Sequence, residues 1–172
     1  MRHAIKILAL LALMLLPVLA LADGPVLLVE LPDEAQMVEN VEFDDGDFIQ
    51  TYQLSGNATV HLLRYGSFDM TLDELAQSEW TGCTDVRAMS VQTIGGFPAS
   101  GIRLIYQEDD DQGGHELDVS IIRVDTDKGT LMFEAVFPKT LGDAQIEATV
   151  QRMIQSMDVL SGDPADDDVE VG

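Results

Sequence analysis

The side chains in this chain best suited to chemistry are carboxylates. Glu108, Asp109, Asp110 and Asp111 run together ahead of Gln112-Gly113-Gly114. Hard divalent cations such as Ca²⁺ want several oxygen ligands, so this stretch is the first candidate metal site. It departs from the EF-hand spacing. Counted from Asp109, position 3 is Asp111, but position 5 is Gly113 and position 12 is Ser120. The competing reading is a solvated hairpin tip. Asp44, Asp45 and Asp47 around Gly46 form a second cluster open to the same two readings.

Other chemistries have less to build on. Beyond residue 22 the histidines are His61 and His115, whereas a zinc site usually takes three or four protein ligands. No Gly-x-Ser-x-Gly elbow occurs. Gly95-Gly96 and Gly113-Gly114 are not followed by a helix carrying a lysine, so neither reads as a phosphate loop. Cys83 is the single cysteine; it excludes an intramolecular disulfide and reads as a small buried apolar residue. Asn57-Ala58-Thr59 is a glycosylation acceptor sequence, relevant only in a eukaryotic secretory route. The expectation is a non-enzymatic protein with no catalytic residues and no resident cofactor, calcium being the one ion its loops could take. A hydrolase with a dispersed site is the remaining alternative.

Charge narrows the partners. The 172 residues hold 31 Asp+Glu against 9 Lys+Arg, a formal charge of −22. Nucleic acid and anionic membrane surfaces are polyanions, so both are disfavoured. Residues 1–22 read as a secretory leader: Arg2, His3 and Lys6, then an apolar run from Ile7 to Leu21, then the small-x-small end Ala20-Leu21-Ala22. The run falls short of the roughly 20 residues that span a bilayer. Cleavage there removes two bases and no acid. The expected product is periplasmic or secreted, with no membrane insertion. Residues 23–160 are expected to form one domain. Residues 161–172, rich in Asp and poor in large apolar side chains, read as a disordered acidic tail. Much of the negative charge lies in residues 23–63 and in that tail, which suits a strongly hydrated surface.

The elements that must position these residues follow from periodicity. Val26 to Leu31 reads as a short strand stopped by Pro32, and residues 33–40 as a polar, helix-capable connection. Val41 to Phe43 and Phe48 to Leu54 flank a hairpin turn at 44–47. In 60–65, Val60, Leu62 and Arg64 share one face and His61, Leu63 and Tyr65 the other. Thr71-Leu72-Asp73-Glu74 has the form of a capping box opening a helix over 72–80. A meander follows, with strands at 86–93, 99–106, 116–124 and 130–137. Ile146, Val150, Met153, Ile154 and Met157 mark a helix over 144–157, with Asp143 as its expected N-cap. The expected fold class is α+β: an antiparallel meander packed with two main helices.

Three stretches give this order a family likeness. They are Thr71 to Trp80; Ile94-Gly95-Gly96-Phe97-Pro98-Ala99 with the strand Ile102 to Tyr106; and Thr130 to Phe137 with the helix ending Ile154-Gln155-Ser156-Met157. Together they resemble the PsbP-like superfamily, which includes bacterial DcrB-like periplasmic proteins, across about residues 40–160. The resemblance implies an α/β/α sandwich and a non-enzymatic scaffold that docks on another envelope or secreted protein. Photosystem members are tied to calcium and chloride retention, but no ion-binding residues of theirs can be matched here. Partner identity and oligomeric state are not readable from the residues.

Overall fold

The computed structural model describes residues 24–44, 46–108 and 114–160. Among them the strands are β1 (Val26–Leu28), β2 (Gln36–Glu42), β3 (Phe48–Gln53), β4 (Thr59–Tyr65), β5 (Thr84–Met89), β6 (Thr93–Ile94), β7 (Phe97–Glu108), β8 (His115–Thr126), β9 (Gly129–Pro138) and β10 (Asp158–Leu160). The helices are α1 (Leu72–Glu79) and α2 (Asp143–Ser156). An eight-stranded sheet runs β2-β3-β4-β9-β8-β7-β5, with β6 paired to β7, and every pairing is antiparallel. β1 and β10 form a separate two-stranded pair that ties the two ends of the domain together.

The expectation of an α+β sandwich, a meander packed with two main helices, is corrected to a sheet-dominated fold. β7 and β8 reach 12 residues each and β9 reaches 10, while α1 has only 8. The polar connection expected over 33–40 is also a strand for much of its length. Gln36–Glu42 lies at the sheet edge with nearly every residue exposed, so it carries no apolar alternation that would mark it as a strand. Its conformation comes from pairing with β3.

Strand alternation builds two cores from one sheet. On one face Val60, Leu62, Ile122, Val124, Leu131 and Phe133 pack with Ile146, Val150 and Met153 of α2 and with Leu27 of β1. On the other face Ile102, Leu104, Val119, Ile121 and Met132 pack with Leu72, Leu75 and Ala76 of α1. The capping box is formed: Thr71 Oγ1 accepts from the Glu74 amide at 3.2 Å, and the Thr71 amide donates to Glu74 Oε2 at 2.8 Å. The Thr71 amide and, at 2.9 Å, the Thr71 hydroxyl both donate to Glu74 Oε2 and hold that carboxyl below its ordinary pKa. α2 differs from expectation at its start. Gly142, with φ 84°, is the N-cap, and Asp143 is the first helical residue, its carboxylate paired with Lys139. A left-handed residue there favours glycine.

Candidate functional site

Burial fades across the α1 face. Under α1, on β7, β8 and β9, the side chains are closed off. Toward the edge, Leu63 and Tyr65 of β4, Ile49 of β3 and Val41 of β2 are only half-buried. The approach to α1 is pinned by Arg123 of β8. Its guanidinium donates to Asp125 Oδ1 at 2.8 Å and to the Phe68 carbonyl at 3.3 Å, and lies over the Phe68 ring. α1 ends at Glu79, and Trp80, its C-cap, lies edge-on to Tyr106 with ring centroids 5.2 Å apart.

One polar row crosses this half-open surface. Glu39 of β2 is register partner of Thr51 of β3, Thr51 of His61 of β4, and His61 of Glu134 of β9. Thr51 Oγ1 donates to Glu39 Oε2 at 3.2 Å and lies 3.1 Å from His61 Nδ1. A hydroxyl has one proton. With that proton on Glu39, the histidine tautomer that completes the network carries its own proton on Nδ1 and leaves Nε2 as an acceptor. At the far end Trp80 Nε1 donates to Glu134 Oε2 at 3.3 Å.

The electrostatics of the row follow from partial burial without a cation. Desolvation pushes the Glu134 carboxyl up to about 7; the Trp80 hydrogen bond opposes this and the Glu79 charge adds to it. Desolvation lowers the His61 pKa, with Glu39 pulling the other way. Both shifts favour uncharged forms. The arrangement can hold hydrogen-bonding groups and take up protons near neutrality. Thr51, the hydroxyl of the row, is only 8% exposed and directs its proton at Glu39.

A second polar cluster lies on the opposite face. Asp118 of β8, 1% exposed, receives two bonds from Arg103 of β7, each 2.7 Å, and has Lys139 Nζ at 3.8 Å. Arg103 also has Glu147 of α2 at 4.0 Å. Ser120 Oγ, beside it on β8, is buried without a hydrogen-bond partner. Every charge in this cluster is compensated within the domain, which marks it as a clamp between sheet and α2.

The residues singled out from sequence fare unequally. Glu108 is the exposed last residue of β7, opposite His115 in the β7–β8 register. Asp109, Asp110 and Asp111 lie outside the described residues, as do Asp45, residues 1–23 and the tail 161–172. Around the other acidic tip, Asp47 Oδ1 accepts from the Gly66 amide at 2.5 Å, and Arg64 Nε donates to the Gly46 carbonyl at 2.8 Å. Among the described residues no group of three or more His, Cys, Asp or Glu is placed to hold a metal ion. Cys83 is half-buried with its thiol 3.8 Å from the Ala76 carbonyl. Glu39, Thr51, Trp80 and Glu134 were not singled out. Glu134 had a readable signal, as the lone acid in the run Leu131 to Phe137. The other three needed the strand register.

Among the described residues no helix is long and apolar enough to cross a membrane. No family model matches the chain, and no curated protein matches it. The resemblance to the PsbP-like superfamily thus gains no support from those comparisons. Among solved structures the chain is similar to LpqN of Mycobacterium tuberculosis, described as involved in cell envelope biogenesis. The identity is 12%, the TM-score is 0.40, and the match covers 78% of this chain and 83% of the other. A likeness this slight carries no argument about fold or role.

Proposed function

We propose that the protein is an exported, non-catalytic module that binds another protein of the cell envelope or its surroundings. One observation supports this reading above the others: the face covered by α1 is left half-open over β2, β3 and β4. There Val41, Ile49, Leu63 and Tyr65 stay partly exposed around the polar row. A surface mixing apolar area with a few fixed hydrogen-bonding groups suits protein recognition. The leader-like residues 1–22 support export, and the acid excess disfavours nucleic acid and anionic lipid as the bound species.

Fractionation of cells producing the full chain, followed by native mass measurement of the exported fraction, tests the reading. The expected result is a product shortened by the leader, running in a complex of fixed stoichiometry with a second protein. A full-length product retained in the cytoplasm, or a free chain at every salt concentration, would overturn it.

A further inference from the structure

We propose that β2 is a docking edge for an extended segment of a basic partner protein. That segment would carry Lys or Arg facing Glu39 and an apolar residue, two positions away, facing Val41. This deepens the binding-module reading and rests on it.

Among the described residues no strand pairs with the outer side of β2. An unpaired edge presents main-chain donors and acceptors to any strand that fits. The edge is not uniform. The register shifts between Met37 and Glu39, so Val38 is extra and bulges outward, 60% exposed beside Met37 at 47%. From Glu39 to Glu42 the pairing with β3 is regular, leaving four consecutive residues in strand geometry.

The side chains along this stretch define the occupant. Residues facing one another on neighbouring strands, on the same face, interact as pairs. Glu39 ends the polar row: Oε2 is held by Thr51, and Oε1 has no hydrogen-bond partner among the described residues. The next member of the row, on an incoming strand, is the position where a cation gains most. Val41, half-buried against Ile49 in the adjacent row, calls for an apolar neighbour. Alternation puts those two incoming residues two positions apart.

Charge argues against a second copy of this chain as occupant. Symmetric antiparallel self-pairing centred on Glu39 would set Glu39 against its own copy, and centred on Glu42 would set Glu42 against its own copy, on chains that each carry a formal −22. Like charges directly opposite are destabilising. The opposite edge of the sheet offers a poorer template. In β5 the register breaks between Thr84 and Arg87, Asp85 takes a left-handed φ of 54°, and Arg87 pairs with Asp85 at 3.1 Å.

The probe is a synthetic octapeptide in which threonine alternates with lysine and valine in turn, added to the isotope-labelled exported chain. Amide hydrogen exchange is read residue by residue. The expected result is slowed exchange confined to Gln36–Glu42. Affinity should fall at least ten-fold for Glu39→Lys and stay unchanged for Val86→Lys on the opposite edge. Both substitutions are at exposed sites, and the exchange pattern of the rest of the sheet verifies folding. Protection mapped to β5, equal binding by Glu39→Lys, equal binding of a peptide with glutamate in place of lysine, or a self-associated chain with β2 protected would each overturn the proposal. A native complex in which β2 amides exchange as fast as in the free chain would sink this inference while leaving the module reading standing. Peptide binding at β2 with no native complex would do the reverse.

Discussion

Asp118 and Glu134 sit one strand apart in the same sheet, facing opposite sides, and they resolve burial in opposite ways. Asp118 has both carboxylate oxygens gripped by Arg103, and Lys139 stands nearby. Glu134 has a single indole N–H and a like-charged neighbour in Glu79, so burial favours its proton. The difference is one of partners more than of depth. A buried carboxylate with bidentate pairing is a structural clamp; one without a cation is a proton acceptor tuned to neutral pH. Only the second lies on the half-open face.

Removing the clamp should give the largest effect. Arg103→Ala leaves the buried Asp118 carboxylate with no hydrogen-bonded cation, only Lys139 at 3.8 Å, and breaking a buried pair this way typically costs about 3–5 kcal/mol. Urea unfolding should show that loss. The double variant Arg103→Met with Asp118→Leu should recover most of it, since no unpaired charge remains. A double variant as damaged as the single would mean that packing around α2, not ionic pairing, sets the cost.

The proton acceptor predicts a stability that depends on pH. Folded Glu134 binds its proton more tightly than the unfolded chain, whose carboxyl titrates near 4.5. Its contribution is full below about pH 4.5, declines as pH rises, and is lost once pH passes about 7. The difference amounts to about 3 kcal/mol. Glu134→Gln should therefore be more stable than the parent at pH 9, with the gap closing toward pH 4. The sign is opposite for His61, whose lowered pKa removes stability as pH falls through its unfolded value near 6.5. Trp80→Phe sharpens the test. Without the indole donor, the Glu134 midpoint should move further up, as read by carboxyl chemical shifts against pH. An unmoved midpoint would assign the shift to burial alone.

How much of this was legible beforehand depends on whether the signal was local. The capping box at Thr71 and Glu74, the faces of residues 60–65 and the stripe of α2 are short-range patterns, and each appears at its expected place. The β2–β3 hairpin is legible from its arms, Val41 to Phe43 and Phe48 to Leu54, whereas the 36–40 part of β2 is not, because an edge strand exposed along its length has no apolar period to detect. The dominance of the sheet was missed for a related reason. The long strands run past the apolar alternation that marks them: β7 and β8 reach 12 residues each and β9 reaches 10, because ladder pairing carries them through the polar residues at their ends. The polar row is the extreme case. Glu39, Thr51, His61 and Glu134 are scattered over almost a hundred positions, and only the register of four strands aligns them. The pairing of Asp118 with Arg103 needed the same kind of information, across the β7–β8 hairpin.

A smaller perturbation asks whether α1 maintains the difference between the two carboxyls. Thr71→Ala removes the N-cap acceptor and should cost about 1 kcal/mol. α1 leads directly into Trp80, and Trp80 holds Glu134. Fraying at the capped end should therefore admit water to the α1 face and leave the α2 face untouched. Desolvation is the leading cause of the Glu134 shift, so its midpoint should fall toward the ordinary carboxylate range in Thr71→Ala. This is opposite in direction to Trp80→Phe, which removes a stabilising donor. The Arg103–Asp118 clamp lies across the sheet from α1, and the stability loss on breaking it should be the same in the Thr71→Ala background, since distant, independent sites add. A Glu134 midpoint that holds while stability drops would show that the carboxyl is buried by the sheet and by Trp80, with α1 serving only to carry the indole there.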